Sequence, residues 1–370
     1  MRIVAVTLLS LATLASPAWA QSKRIRACTA PDDPAPCMIE GAAPDRSQLP
    51  AAGPAAWISG DRLVLSWVGK AEDVWLGSGI ALDGSLTRVT PDLFQTVIRY
   101  PKAQQTRVHV LFATKKEKDG ASEFSKPIEL VGPQAFAVPQ GDSQPETMTF
   151  GPTLPQARVW LPPGYRAGVR YPILYLADGG WTSQGNTLAG AIGSGELAPL
   201  IVVGVDYAPE HQSDSDLRIL TYLGESDVPG QLAPEFIAHE RFLLETVIPA
   251  IERTYGAPAE RGLRAVGGAS NGGSWAASMA LRNPGVFGTA LVMSPGMPPV
   301  QHGAARSLSR FYVSAGDLEP AYRSNAQRIT QDIVSRGGVA TFTAYPSGHD
   351  WWMWTRILLD DTRAWLGPAR

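Results

Sequence analysis

The pattern that most constrains the fold lies in residues 148–370, where short apolar segments alternate with longer helical segments. The predicted strands read ARVWLPP, YPILYLAD, LIVVGVDY, LRAVGGAS, GTALVMSP, RFYVSAG and ATFTAYP. The predicted helices cover 234–254, 273–283, 320–336 and 353–365. Nearly continuous apolar strands must be covered on both faces, and helical crossovers join parallel neighbours. The pattern therefore predicts a mostly parallel sheet with helices on both faces, and functional groups beyond the carboxyl ends of its strands.

The first half of the chain has a different texture, with short alternating runs separated by turn signals. Residues 55–132 contain DRLVLSWV, DVWLGSGIAL, FQTVIRY, TRVHVLFAT and PIELV. Short β-branched and aromatic runs at regular spacing predict a small β-sandwich domain. The Pro-, Gly- and Gln-rich residues 133–147 predict a linker to the α/β domain at 148–370, and residues 21–54 a leader.

The N-terminus has the features of an export signal. Residues 1–20 combine one early arginine, an apolar run broken by Ser16 and Pro17, and a closing Ala-Trp-Ala. A membrane span needs about 20 consecutive apolar residues, so we interpret this segment as a signal peptide cleaved before Gln21. The two cysteines, Cys28 and Cys37, would then pair in a local disulfide outside the cytoplasm. The expected location is periplasmic or secreted.

Composition argues against several classes of partner. Apolar residues make up 44% of the chain and charged residues 18%, and the net charge is −2 with no long run of one sign. This balance favours neither nucleic acid nor an anionic membrane surface as a partner. No later segment is long and apolar enough to span a membrane. The two cysteines have no further ligands nearby, and we expect no metal and no cofactor.

A serine, an acid and a histidine follow three of the predicted strands. Ser270 stands between Gly268 and Gly272 at the end of LRAVGG, and His349 comes after ATFTAYPSG. Asp317 and Glu319 follow RFYVSAG, so the chain order is serine, acid, histidine, which is the order found in α/β-hydrolases. Small neighbours allow a serine to occupy the strained turn between strand and helix. We predict that Ser270 is a nucleophile.

The remaining groups of the predicted site follow from this chemistry. His349 would act as general base, and either Asp317 or Glu319 would orient its ring. The backbone N–H of Asn271 and that of Gly180, or alternatively of Trp181, would bind the oxyanion. Aromatic side chains would also wall the substrate pocket, or pack in the core instead: Trp181, Trp351, Trp352 and Trp354.

Five segments together resemble the esterase D and enterochelin esterase family of serine α/β-hydrolases. They are WLPPGYRAGVRYPILYLADGG, FIAHERFLLETVIPAIERTYG, AVGGASNGGSWAASMALRNPGVFG, SAGDLEP and SGHDWWMW, in family order over residues 150–366. The resemblance implies that Ser270 is the nucleophile and His349 the base. It favours Glu319, which precedes a proline in AGDLEP, over Asp317 as the acid. It also makes Gly180 the second oxyanion donor, and the preceding β-sandwich fits the enterochelin esterase architecture.

The expected function is that of an exported serine carboxylesterase acting on a small-molecule ester, such as a siderophore lactone or an acylated sugar. Two alternatives stay open. An enzyme of the same fold could transfer the acyl group to an acceptor other than water. The chain could also be a non-catalytic protein that binds carbohydrate or a cell surface and keeps a relic hydrolase domain.

Overall fold

The computed structural model describes residues 24–30, 33–115, 122–139, 141–179, 182–209, 215–226, 231–256, 260–300 and 309–367. The predicted signal peptide and its cleavage site at Gln21 lie outside these ranges, as do Gly180 and Trp181. Cys28 and Cys37 form the predicted disulfide, with their Cα atoms 4.8 Å apart.

The N-terminal part is a sandwich of two antiparallel sheets. Its strands are β1 (Cys37–Met38), β2 (Gly53–Ser59), β3 (Arg62–Val68), β4 (Asp73–Ser78), β5 (Arg88–Thr90), β6 (Leu93–Arg99), β7 (Arg107–Lys115), β8 (Ser122–Phe124) and β9 (Ile128–Val131). One sheet has the order β1-β6-β3-β2 with β5 also on β6, and the other has β4-β7-β8 with β9 also on β7. Because β1 pairs with β6, the predicted leader is tied to the sandwich at Cys37 and Met38.

The C-terminal part is built on one large sheet. Its strands are β10 (Glu146–Met148), β11 (Ala157–Trp160), β12 (Ile173–Ala177), β13 (Ile201–Val205), β14 (Arg264–Ala269), β15 (Thr289–Met293), β16 (Arg310–Gly316) and β17 (Val339–Tyr345). Its helices are α1 (Thr182–Gly193), α2 (Ser215–Leu223), α3 (Pro234–Arg241), α4 (Ile248–Tyr255), α5 (Asn271–Arg282), α6 (Pro320–Ser335) and α7 (Trp351–Leu366), with a π-helical turn at Phe242–Val247 between α3 and α4.

The sheet order β10-β11-β13-β12-β14-β15-β16-β17 fixes the place of the functional site. Strands β12 to β17 run parallel to one another, and β11 near one edge pairs antiparallel with both β13 and the edge strand β10. Alternate residues of β12 enter opposite cores: Ile173 and Tyr175 pack on the side of α2 to α6, whereas Leu174 and Leu176 pack on the side of α1 and α7. The chain reverses its direction of travel across the sheet between β12 and β14, and a crevice forms at such a point beyond the carboxyl ends.

This architecture is the predicted α/β domain preceded by a β-sandwich. In the part of the chain that the structure describes, no helix has the length and apolarity needed to cross a membrane.

Candidate active site

Ser270 occupies a strained turn between β14 and α5. Its backbone has φ 58° and ψ −125°, a positive φ that side-chain-bearing residues seldom adopt. A Cβ atom at Gly268 would overlap the carbonyl oxygen of Gly272, and one at Gly273 would overlap that of Met293. Glycine at these positions therefore allows the strand to turn sharply into the helix, which leaves the Ser270 side chain at the sheet edge.

His349 lies in the loop between β17 and α7 and connects the serine to an acid. Its Nε2 atom is 3.1 Å from Ser270 Oγ, and its Nδ1 atom is 2.5 Å from Glu319 Oε2. The Glu319 side chain is completely buried, whereas that of His349 is 23% exposed. The three side chains thus form one continuous hydrogen-bonded chain from the protein interior to the surface of the crevice.

Glu319 is held by further donors on its other carboxylate oxygen. Ser294 Oγ and the backbone N–H of Gly316 each donate to Oε1 over 2.6 Å. Trp354 Nε1 donates to the same Ser294 hydroxyl over 2.8 Å. Three donors on a buried carboxylate, counting His349, fix its orientation.

Asp317, the other acid that the residues alone allowed, turns towards the sandwich instead. Its Oδ2 atom accepts from Tyr100 Oη over 2.7 Å and from Lys102 Nζ over 3.0 Å, and Arg323 lies 3.1 Å from Oδ1. The next residue, Leu318, is buried in the hydrophobic core of the sandwich. The loop before α6 therefore divides its side chains, with Glu319 directed to His349 and the two residues before it directed to the other domain.

Two aromatic rings hold the imidazole of His349, and sequence reasoning gave neither of them this role. Tyr322 stacks on the His349 ring at 3.9 Å between centroids, and Trp354 packs edge-on at 4.7 Å. The Tyr322 hydroxyl is also within hydrogen-bond reach of the Ser270 side chain, and burial raises the pKa of this tyrosine. Its position in the first turn after the acid loop was the only signal in the sequence.

The predicted oxyanion donors stand at the ends of β14 and β12. Asn271 is the first residue of α5, where backbone N–H groups have no partner within the helix. On the other strand, the N–H of Asp178 donates to Tyr222 Oη over 2.8 Å and that of Gly179 to the Val205 carbonyl over 3.1 Å. Gly180 and its alternative Trp181 come next and lie outside the described residues, so both remain predictions.

An ion pair between Arg218 and Asp178 lies against the turn that carries Ser270. Arg218 donates to both carboxylate oxygens of Asp178 over 2.7 Å, and a Cβ atom at Gly272 would come within 3.1 Å of this carboxylate. Asp178 itself has a φ of 57°. The pair fixes the end of β12 directly against the first turn of α5.

Comparison with known proteins shows which family and which solved structures this chain resembles. Residues 153–308 match the sequence model of the Esterase family. This part of the α/β domain is therefore similar to the Esterase family. Over 225 residues the chain is 28% identical to an endo-1,4-beta-xylanase/feruloyl esterase of Xylanibacter ruminicola, a match that covers 55% of this chain and 28% of that longer relative.

The structure also resembles solved enterochelin esterases. The enterochelin esterase from Shigella flexneri has a TM-score of 0.61 and 15% identity, with 85% of this chain and 95% of that chain covered. The ferric enterobactin esterase from Salmonella typhimurium has a TM-score of 0.61 and 16% identity, with 85% and 96% covered. The shared fold thus extends beyond the esterase domain into the sandwich.

The sandwich makes direct hydrogen bonds to both site-bearing loops of the esterase domain. The backbone N–H of His349 donates to the Gly79 carbonyl over 2.7 Å, and that of Ala81 donates to the Leu318 carbonyl over 3.0 Å. Gly348 packs so closely on Gly79 that a Cβ atom there would overlap the Gly79 carbonyl. The segment that follows β4 therefore positions the loops that carry His349 and Glu319.

His109 of β7 belongs to the same interface. Its backbone N–H donates to the Asp350 carboxylate, and its Nε2 atom accepts from Trp352 Nε1 over 2.9 Å. Asp350 also caps α7 by accepting from the backbone N–H of Met353 over 3.0 Å. These contacts fix the start of the helix that follows His349.

Trp351, one of the predicted pocket residues, and His239 of α3 have structural positions. Trp351 begins α7, is 42% exposed, and packs against Trp354 at 6.1 Å between centroids. His239 is buried, and its Nε2 atom bonds the Asp206 carbonyl at 3.0 Å; burial lowers its pKa to about 4, so the ring is neutral. Within the described ranges, no cluster of three or more His, Cys, Asp or Glu side chains could hold a metal ion.

Proposed function

We propose that the chain is an exported serine carboxylesterase in which Ser270, His349 and Glu319 form the catalytic triad. The observation that carries the proposal is the continuous chain of hydrogen bonds from Ser270 Oγ through both nitrogens of His349 to Glu319. A serine is a weak nucleophile at neutral pH unless a neighbouring base removes its proton. The arrangement supplies that base and the buried acid that fixes its tautomer.

The reaction follows from these positions. Ser270 Oγ bonds to the ester carbonyl carbon while its proton passes to His349 Nε2. The carbonyl oxygen takes the electron pair and is bound by the N–H groups of Asn271 and Gly180. The carbon–oxygen bond to the alcohol then breaks, and the leaving oxygen receives the proton from Nε2. Water, activated by the same imidazole, attacks the acyl-enzyme and returns Ser270 to its starting state.

The class of ester is also a proposal. The structural neighbours are named enterochelin esterases, and the relative from Xylanibacter ruminicola is named a xylanase and feruloyl esterase. These names support a siderophore lactone and an acylated sugar, respectively, as the first substrates to test. Both are small-molecule esters.

Ser270→Ala tests the proposal directly. We expect this variant to keep the melting temperature of the native chain and to lose at least about 10³-fold in kcat on a nitrophenyl ester. A fluorophosphonate probe should label Ser270 in the native chain and leave the variant unlabelled. A folded variant that retains its activity would refute the assignment. A native chain that neither reacts with the probe nor hydrolyses any ester would favour the non-catalytic binding protein.

Export is supported by the sequence of residues 1–20 and by the disulfide between Cys28 and Cys37. We expect the protein recovered outside the cytoplasm to begin at Gln21, which the intact mass would show. A product that keeps Met1 in that compartment would contradict cleavage.

A further inference from the structure

A cavity of about 440 Å³ lies between the sandwich and the proposed catalytic histidine. It is lined by β4 and the segment that follows it, including Asp73, Trp75 and Ser85. His349 and Tyr322 of the α/β domain line it as well. The volume falls within the range of about 300–1,000 Å³ that is usual for small-molecule sites.

The position of His349 indicates which half of the ester, acyl group or alcohol, would lie in this cavity. In the proposed mechanism His349 returns the proton to the leaving alcohol, so that alcohol must lie against the imidazole. The cavity opens against His349 and against Tyr322, which stacks on the same ring. The backbone N–H of Asn271, the predicted oxyanion donor that the structure describes, stands by contrast at the start of α5, directly after Ser270. We propose that the cavity binds the leaving alcohol of the ester, an inference that rests on the proposed esterase function.

The lining residues indicate which alcohol would fit. Trp75 is half-buried on β4, and buried Ile80 adds apolar surface beside it. Polar groups accompany them, because the exposed Ser85 hydroxyl donates to Asp73 Oδ2 over 2.6 Å. An aromatic face accepts the C–H surface of a ring, and carboxylate and hydroxyl oxygens accept hydrogen bonds from hydroxyl groups. This combination suits a ring-bearing alcohol with several hydroxyl groups.

The sandwich would therefore select the substrate as well as position the catalytic loops. Arg24 also lines the cavity and pairs with Asp83 over 3.0 Å, with both side chains more than half exposed. A longer alcohol would leave the cavity past this pair. The acyl half of the ester, on the opposite side of His349, would make no contact with β4.

The test compares two esters of the same acid, one of methanol and one of a monosaccharide hydroxyl. We expect Trp75→Ala to lower the ratio of kcat/KM for the sugar ester to that for the methyl ester by about tenfold, because only the sugar reaches the indole. Ser85→Trp, which fills the cavity from an exposed position, should lower the same ratio at least as much. Trp67→Ala is the matched control, since it removes the same side chain from the same domain outside the cavity and should leave the ratio unchanged.

Thermal melts of all three variants show that they are folded. If Trp75→Ala and Ser85→Trp both leave the ratio at its native value, or if Trp67→Ala lowers it equally, the cavity does not bind the alcohol. A native chain that hydrolyses neither these two esters nor a nitrophenyl ester, and that the fluorophosphonate probe does not label, would instead refute the esterase proposal itself, so the two failures are distinguishable.

Discussion

Two acidic residues separated by one position offer a sharp test of the proposed mechanism. Glu319→Gln changes the buried partner of His349, and Asp317→Asn makes the same chemical change two residues earlier. In Glu319→Gln, one oxygen becomes an NH₂ group that can only donate hydrogen bonds. Ser294, Gly316 and His349 all donate to this carboxylate in the native chain, so the amide must oppose at least one donor.

The cost can be worked from this geometry. Ser294 Oγ and the Gly316 N–H occupy one side of the carboxylate and require an acceptor there, which directs the new NH₂ group to His349 Nδ1. The ring then carries its proton on Nε2 and is unable to accept the proton of Ser270. We expect kcat to fall by about 10³–10⁴-fold, the size of effect seen when a triad aspartate becomes asparagine. At 1.36 kcal/mol per factor of ten, this is about 4–5.5 kcal/mol of transition-state stabilisation.

Asp317→Asn should behave differently. Its carboxylate bonds Tyr100 and Lys102 across the domain interface, and an amide oxygen still accepts from both. Loss of the charge should lower the free energy of unfolding by roughly 1–3 kcal/mol, with kcat within about threefold of the native value. The assay is steady-state hydrolysis of a nitrophenyl ester at several pH values, with a thermal melt of each variant. If Asp317→Asn abolished turnover while Glu319→Gln retained it, the assigned acid would be wrong.

Two further predictions follow from buried groups outside the triad. Gly79→Ala introduces a Cβ atom, at a φ of +95°, that overlaps the His109 carbonyl. The Gly79 carbonyl should then move away from the His349 N–H, and we expect kcat to fall by about tenfold or more. Unchanged turnover in a folded variant would exclude this positioning contact. Burial, together with the charge of Asp360, raises the pKa of Asp361 to about 8, so the folded state keeps a proton that the unfolded state loses above pH 3.8. The stability from this group is therefore complete below pH 3.8 and falls by up to about 1.4 kcal/mol per pH unit until pH 8. Melts at pH 6 and pH 9 should show Asp361→Asn gaining stability relative to the native chain as pH rises, and parallel melting curves for the two proteins would contradict the raised pKa.

Much of the α/β domain was predictable because its signals are local. The helices predicted at 320–336 and 353–365 correspond to α6 and α7 within two residues at each end. Helix α1 was missed, since TSQGNTLAGAIG is rich in glycine and threonine and has no clear apolar period. The predicted linker 133–147 ends inside β10, which begins at Glu146 at the sheet edge.

In the candidate site, some features could be predicted from local sequence and others depend on contacts between distant parts of the chain. The glycines around Ser270 predict a tight turn from local sequence alone, so Ser270 could be proposed as the nucleophile from its neighbours. The position of the acid after its strand left Asp317 and Glu319 equally possible, and only the family resemblance of AGDLEP favoured Glu319. Their separation depends on Tyr100 and Lys102, more than 200 positions earlier, which bind Asp317. The stacking of Tyr322 on His349 depends likewise on how α6 meets the loop after β17, and no periodicity encodes that contact.

The backbone contacts of Gly79 and Ala81 have a consequence for how this protein could be recombined. They link the loops of His349 and Glu319 to a segment more than 230 positions away. We therefore expect that neither domain can be replaced by an unrelated one without a loss of activity. A chimera that joins the esterase domain to a foreign sandwich would fold around its own sheet and still turn over slowly, unless the donor supplied an equivalent of residues 79–82. The same dependence should appear during refolding, when recovery of turnover would lag behind recovery of the circular dichroism signal until the domains have docked.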